Sequence, residues 1–457
     1  MQQRRVLIIT YYWPPSGGSG VQRWLKFVKY LRRYGWEPVI YTPENPEYPA
    51  LDASLSADIP DELTVLCQPI WEPYSWYKSL TGRKPTDTIA AGFASEGGQP
   101  SWKERLARWI RGNLFIPDAR RFWIRPSVRF LQTYLQQHPV EVIISSGPPH
   151  SLHLIAQALQ KQALNKQSLN HQRIPWIADF RDPWTQIYWF KDLLLSPRAL
   201  RRHQQLEASV YRQADRLIVV SPSMLEQLPA EYQAKTTVIT NGFDPDDFPA
   251  KVPLASDAVF RWVYTGTLVS HQNPEHLWNM LGALLREGRL DPKTFQIQLV
   301  GKVDGSVVES IEKAGIASLV DLIPYVSHQE VIRYQQEASA LLLLLIKDRA
   351  VAKGVLTGKI FEYMASQHPI ICLGATDSDA AAILQETGTG VCIEYEDVSG
   401  LEQALLRRMA EHRRSSAANE APPASPQPFP PALERYTREA LTAQLAELLR
   451  ASVDQRS

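Results

Sequence analysis

Short apolar runs separated by amphipathic stretches recur along the chain. Val6 to Thr10 (VLIIT), Val39 to Tyr41, Val140 to Ser145, Ile174 to Asp179, Arg216 to Val220 and Thr237 to Ile239 each have the length of a strand. Between them apolar residues fall at helical spacing: Val21, Trp24, Leu25, Val28 and Leu31 first, then over 102–137 with a break at Pro117, 150–162 and 196–213. A second series follows: Arg261 to Tyr264, Phe295 to Val300, Val320 to Ile323, Leu341 to Leu345, Pro369 to Leu373 and Val391 to Tyr395. Helical spacing over 273–287, 305–315, 328–337 and 399–411 separates these runs. The alternation predicts parallel sheets with helices on both faces. The leucine run has no polar alternation, as expected of a strand buried on both sides.

The expected fold class is therefore α/β: two Rossmann-like, doubly wound parallel-sheet domains. The first covers 1–250 and the second 257–412, with Pro249 to Asp257 as the linker. The stretch from Glu44 to Gln99 reads as irregular, with Ser95 to Pro100 as a mobile loop. The Pro/Ala/Ser-rich segment 413–431 is expected to be a disordered linker, followed by an amphipathic tail helix at 432–451. Ligands of such sheets bind beyond the carboxyl ends of the strands, and two facing sheets would place the active site in the cleft between them.

Bulk properties narrow the function. At 457 residues the chain exceeds one ordinary core. A net charge of +1 gives no overall electrostatic case for nucleic acid. Cys67, Cys372 and Cys392 fit neither a disulfide framework nor a metal-ligand spacing, which implies a reducing compartment. The start has no signal-peptide core, and no apolar run approaches the length of a membrane span. A cytoplasmic location is expected. Residues 102–129 carry Lys103, Arg105, Arg108, Arg111, Arg120, Arg121, Arg125 and Arg129 against only Glu104 and Asp118, interleaved with Trp102, Trp109, Phe115, Phe122 and Trp123. That segment reads as the solvated face of core helices or as a peripheral contact with an anionic membrane at the inner face of the plasma membrane; single-stranded nucleic acid is a weaker reading, because no recognisable binding module accompanies it.

The strongest chemical signal follows the leucine strand: Gly354 to Ser366 (GVLTGKIFEYMAS). Leu356, Ile360, Phe361 and Met364 mark a helix whose first turn is left uncrowded by Thr357 and Gly358. Free amides and the helix dipole form an anion site there; Lys359 adds a cation, and Glu362 lies three residues on. A phosphate-binding cation beside a carboxylate for sugar or ribose hydroxyls fits a nucleotide sugar. An ordinary helix start with a Lys359–Glu362 surface ion pair is the plain alternative.

Other strand-end loops add candidates. Gly17, Gly18 and Gly20, ahead of Gln22 and Arg23, allow a ligand close to backbone but lack the G-x-G-x-x-G spacing of a dinucleotide site. His150, after Gly147-Pro148-Pro149, is a positioning group or a helix cap. Asp179, Arg181 and Asp182 form a compact polar loop in which either carboxylate could hold or polarise an acceptor hydroxyl. In the second half, Gly266 and Thr267 follow the first strand and Gly301-Lys302 the next.

In this order, the pieces resemble GT-B-type retaining glycosyltransferases of family 4, in particular bacterial members that build capsule, exopolysaccharide or O-antigen. The resemblance rests on the Gly17–Gly20 loop, Phe115-Ile116-Pro117-Asp118-Ala119-Arg120, Gly147 to His150, Asp179 to Trp184, Asn241-Gly242-Phe243-Asp244, Thr265-Gly266-Thr267, and Gly354 to Ala365 with Pro369-Ile370. It implies a nucleotide-diphosphate sugar donor held by the second domain, a glycan or lipid-linked acceptor at the first, no metal or other cofactor, and a tail helix that returns to the first domain. Two departures stand out. The family's first glutamate of a pair is replaced by Gly354, so the backbone from Lys353 to Val355 would have to meet the donor sugar. The usual arginine and lysine after the second domain's first strand are replaced by Thr267 and Gln272, which leaves the diphosphate charge to Lys359 with Lys353 or Arg23 assisting. The rival functions are a nucleotide-sugar epimerase of the same fold and a glycan-binding or scaffold protein derived from a transferase.

Overall fold

The computed structural model of the chain describes residues 4–48, 50–73, 102–165, 173–248, 259–417 and 429–454. The expected linker at Pro249 to Asp257, the Ser95 to Pro100 loop and positions 418–428 of the Pro/Ala/Ser-rich segment therefore lie outside the described residues.

The chain divides into two compact units, one formed by residues up to Thr240 together with those from Glu439 onward, the other by Asn241 to Arg438. Each is built on a wholly parallel sheet. In the first, seven strands run in the order β3-β2-β1-β4-β5-β6-β7: β1 Arg4–Ile9, β2 Trp36–Pro43, β3 Thr64–Gln68, β4 Val142–Gly147, β5 Trp176–Phe180, β6 Arg216–Val219 and β7 Thr236–Val238. In the second, six run in the order β10-β9-β8-β11-β12-β13: β8 Phe260–Thr265, β9 Phe295–Val300, β10 Val320–Ile323, β11 Ala340–Leu344, β12 Ile370–Leu373 and β13 Gly390–Ile393. Both units are Rossmann-like.

The apolar runs form these strands because each side of the pleat meets a separate apolar layer. Along β11, Leu342 and Leu344 enter one core cluster, whereas Leu341 and Leu343 enter another. Each fully buried leucine contributes about 1.5–3 kcal/mol, which a strand open on one side would not gain at every position. In β1, Leu7 and Ile9 face one layer, and Val6 and Ile8 face the other. The second layer is closed by helices Ser19–Leu31 and Arg438–Asp454, whose Leu441, Leu445 and Leu449 pack with Val6, Ile8 and Trp24. The tail helix begins later than 432 because Pro430 and Pro431 start a separate short turn, Pro431–Glu434.

Three expectations change. The stretch after Glu44 is not wholly irregular: it holds a 3₁₀ turn, Ala53–Asp58, and the edge strand β3. Helix Val398–Ala417 continues past 412 into the segment expected to be disordered. Between Ile370 and Gly390, where no helix is expected, Asp379–Thr387 forms one, capped by the Ser378 hydroxyl on the Ala381 amide.

Candidate functional site

In a doubly wound sheet, the crevice opens where strand order reverses. In the second unit this lies between β8 and β11, so the loop after β8 and the helix after β11 flank it. The sequence candidates Gly266, Gly301, Lys359 and Glu362 gather around these two strands.

Gly266 directly follows β8 with φ of +106°, and Gly301 directly follows β9 with φ of +127°, both in the region that disfavours side chains. A Cβ on Gly301 would stand 2.5 Å from the Gly266 carbonyl oxygen, so the two loops touch through bare backbone. A Cβ on Gly266 would meet the Lys359 side chain at 2.7 Å. The absence of side chains here lets Lys359 lie across the end of β8.

Helix Gly358–Ala365 begins after Thr357, whose hydroxyl makes no cap hydrogen bond. Its first-turn amides are thus left without a side-chain cap, and the Thr357 Oγ1 has no partner among the described residues. Lys359 Nζ donates to the Tyr264 hydroxyl at 2.7 Å and sits 4.2 Å from the centre of that ring. The Tyr264 hydroxyl donates onward to the Thr267 carbonyl at 2.8 Å. Burial lowers the Lys359 ammonium from 10.5 to about 8, partly offset by the charge of Glu362. Burial holds the Tyr264 phenol well above its ordinary range, so it stays a neutral donor and acceptor.

The surface ion pair between Lys359 and Glu362 is not formed. Lys359 turns to Tyr264, while Glu362 Oε1 lies 3.2 Å from His328 Nε2 and Oε2 accepts from Gln335 Nε2 at 3.3 Å. Burial pushes the Glu362 carboxyl up, but the hydrogen bond and charge of His328, then Gln335 and the charge of Arg438, outweigh it and hold it below its usual range. His328 opens helix His328–Gln336, which a Ser327–Glu330 capping box fixes in place. Gln335 also donates to Thr265 Oγ1 at 3.2 Å, tying Glu362 to the end of β8. The result is an ammonium and a carboxylate held apart on one helix, each by its own partner.

Lys353 is exposed on the turn before Gly354, and its carbonyl accepts from the Asp379 amide at 2.9 Å. Thr267 is exposed, and its carbonyl receives the Tyr264 hydroxyl. Gln272, in place of a family cation, donates to the Leu344 carbonyl at 3.0 Å and so secures the carboxyl end of β11.

In the first unit, strand order reverses between β1 and β4, so the Gly17–Gly20 loop and the Gly147–His150 turn flank that crevice. Two candidates turn away from it. Asp179 is fully buried, with Arg23 Nη2 at 2.8 Å and Nε at 3.2 Å, Trp24 Nε1 at 3.1 Å and Ser146 Oγ at 2.7 Å. Arg23, equally buried, donates also to the carbonyls of Ile239 and Thr240. The expectations that Asp179 polarises an acceptor and that Arg23 assists a diphosphate do not fit this geometry. A fully enclosed ion pair has no face for a substrate, and together the two join β5, helix Ser19–Leu31 and the end of the unit.

Arg181 and Asp182 remain half-buried at the loop surface, with Arg181 Nε 3.6 Å from Asp182. Arg181 Nη1 donates to the Gly20 carbonyl at 3.0 Å and its guanidinium covers the Tyr12 ring. Gly17 donates to the Ala50 carbonyl at 2.9 Å, and Gly18 precedes the helix without a side-chain cap. His150 is buried and stacked flat on Trp184 at 4.5 Å. Burial, then the charges of His153, His203 and Arg181, push its pKa well below the ordinary value, so it is a neutral imidazole near pH 7. The capping role falls to a residue with no assigned task in the sequence, Asp118, which accepts from the Ser151 amide and hydroxyl, both at 2.8 Å.

Two Rossmann-like units in one chain, with an ammonium and a carboxylate on a helix start at the switch point of the second, define the class: the fold is that of the GT-B glycosyltransferases. Solved structures share it. A sucrose-phosphate synthase from Thermosynechococcus elongatus aligns with a TM-score of 0.58 at 15% identity, covering 99% of this chain and 100% of that one. WaaG, a glycosyltransferase involved in lipopolysaccharide biosynthesis, aligns with a TM-score of 0.52 at 13% identity, covering 98% and 99%. Anabaena HepE in complex with UDP aligns with a TM-score of 0.57 at 13% identity, covering 98% and 100%. No curated protein sequence matches the chain. Residues 88–247 match the family described as Glycosyltransferase Family 4, and residues 260–411 match Glycosyl transferases group 1. The chain is a glycosyltransferase of this family 4 and group 1 type.

Proposed function

We propose that this protein transfers a sugar, with retention of anomeric configuration, from a nucleoside diphosphate sugar to a glycan or lipid-linked acceptor in cell-surface polysaccharide assembly. The observation that carries the donor assignment is the Lys359 ammonium lying across bare Gly266 at the switch point, beside an uncapped helix start. The pyrophosphate is assigned to the Gly358 and Lys359 amides and the Lys359 ammonium, and the ribose hydroxyls to Glu362. HepE, also solved in complex with UDP-glucose, supports a nucleotide-sugar donor for this fold.

In the proposed reaction, the acceptor oxygen bonds to the anomeric carbon on the face from which the diphosphate departs. The carbon–phosphate-oxygen bond breaks, the acceptor proton passes to the leaving diphosphate, and Lys359 and the helix amides stabilise the accumulating negative charge. That charge is assigned to protein groups, so turnover is expected to be unchanged by a metal chelator. Asp182 and Arg181, which reach the loop surface, are the acceptor-side candidates. Calorimetric titration with UDP-, GDP- and dTDP-sugars tests the reading. Affinity for one class supports it; absence of affinity for all would instead favour a transferase-derived scaffold, for which the Gly354 substitution leaves room.

A further inference from the structure

Helix Trp102–Leu114 has its amphipathic pattern turned outward. At about 100° per residue, Trp102, Leu106 and Trp109 share an arc of about 60°, and all three are exposed, Trp102 to 70%. Ala107 and Gly112, outside that arc, are the buried residues. The cause is close packing at Gly112: a Cβ there would stand 2.5 Å from the Leu193 carbonyl oxygen and 2.7 Å from the Leu195 side chain. Asn113 locks this orientation by accepting from the Ser196 amide at 2.8 Å and donating to the Leu194 carbonyl at 3.2 Å. The expected alternative, cations on a solvated face with aromatics in the core, does not hold for this helix.

Exposed apolar residues also follow the helix. Leu114 is exposed, Phe115 lies 6.0 Å from Phe122, and Phe122 lies 5.0 Å from Trp71, itself 61% exposed. Cations accompany the aromatics: Lys103 lies 6.0 Å from the Trp102 ring and Arg121 5.6 Å from the Phe122 ring. Arg105, Arg125 and Arg129 are also exposed. Of the two carboxylates within 102–129, Asp118 is engaged at the start of helix Ser151–Asn165 and Glu104 is half-buried.

We propose that this face docks the first unit on an anionic lipid surface, with Trp71, Trp102, Trp109 and Phe122 entering the headgroup boundary. Amphipathic rings prefer that boundary, and cations beside them match the negative surface. The proposal rests on this surface and is independent of which sugar or acceptor the enzyme uses.

The test is sedimentation of the full-length chain with vesicles of equal parts phosphatidylglycerol and phosphatidylcholine, against vesicles of phosphatidylcholine alone. Wild-type protein is expected to bind the anionic vesicles and to lose binding as salt rises. A Trp71→Ser, Trp102→Ser, Trp109→Ser variant should bind at least about tenfold more weakly. Replacing Lys103, Arg105 and Arg121 together with serine should weaken binding on the order of a hundredfold, from about fivefold per cation. Both variants should keep the wild-type melting temperature and nucleotide-sugar affinity, which separates this proposal from the donor-site reading. Absence of wild-type binding, or a triple tryptophan variant that binds as well as wild type, overturns it. Concentration-dependent self-association abolished by the tryptophan substitutions, without vesicle binding, would assign the face to a second copy of the chain instead.

Discussion

Replacing Lys359 with methionine separates the two roles that a buried lysine can have. If the ammonium serves the fold, its loss destabilises; if it serves a ligand, its loss relieves the fold and harms binding. The fall from 10.5 to about 8 corresponds at most to about 3 kcal/mol of unfavourable burial of the charge. Roughly half of that remains once its partial exposure is allowed for. Because the folded pKa lies below the unfolded one, the unfolded chain binds more protons between pH 8 and 10.5. The penalty is therefore complete below pH 8 and disappears as pH rises towards 10.5. At pH 7, Lys359→Met should leave the melting temperature unchanged or raise it by a few degrees, and Tyr264 would keep its hydrogen bond to Thr267. Loss of a charge-assisted contact to a diphosphate costs about 2–3 kcal/mol, or roughly 30- to 150-fold in affinity. Wild-type affinity for an intact nucleotide sugar, whose diphosphate does not titrate in this range, should fall about tenfold per pH unit above pH 8, whereas the methionine variant should show no such slope. Scanning calorimetry and titration calorimetry on the same samples read both effects. A variant that melts several degrees lower yet binds the donor as wild type does would refute the reasoning and make Lys359 a structural residue.

Other expectations follow from the same geometry. His328→Ala frees one oxygen of Glu362 and removes the contact that most lowers its pKa, so donor KM should rise about tenfold with kcat nearly unchanged, and His328→Gln should restore part of the loss. Gly301→Ala places a Cβ against the Gly266 carbonyl at a φ of +127°, and denaturant unfolding should show a loss of at least about 2 kcal/mol. Asp179→Asn leaves the buried Arg23 without its counter-charge and should cost about 3–5 kcal/mol, whereas the part-exposed Asp182→Asn should stay within about 0.5 kcal/mol while lowering turnover. Equal stability losses in these two variants would contradict the assignment of Asp179 to the core.

The sequence made plain what local pattern controls. Leu341 to Leu345 declared a strand buried on both sides, and Leu356, Ile360, Phe361 and Met364 declared the helix that carries Lys359 and Glu362. Partners far along the chain were not legible. Lys359 meets Tyr264 at a separation of 95 residues, and Arg23 meets Asp179 at 156, because topology brings those strand ends together. Arg23 and Asp179 each looked like surface chemistry on a loop; only their mutual burial shows that they hold the core. Strand β3 was missed because Thr64 to Gln68 forms a sheet edge whose residues are half-buried or exposed, which leaves a weak alternation. The outward aromatic stripe of helix Trp102–Leu114 was open to two readings, since periodicity gives a stripe but not the direction it faces. Gly112 decides that direction through a contact with Leu193 that sequence spacing does not encode.

The central claim is that the switch point of the second sheet holds the donor nucleotide. A crystal structure of the full-length protein with an intact nucleotide sugar tests it most directly. The account predicts the pyrophosphate at the first turn of helix Gly358–Ala365, with Lys359 Nζ moved from Tyr264 to a phosphate oxygen and Glu362 on the ribose hydroxyls. A nucleotide held instead at the Gly17–Gly20 loop, with Lys359 still bonded to Tyr264, would contradict it.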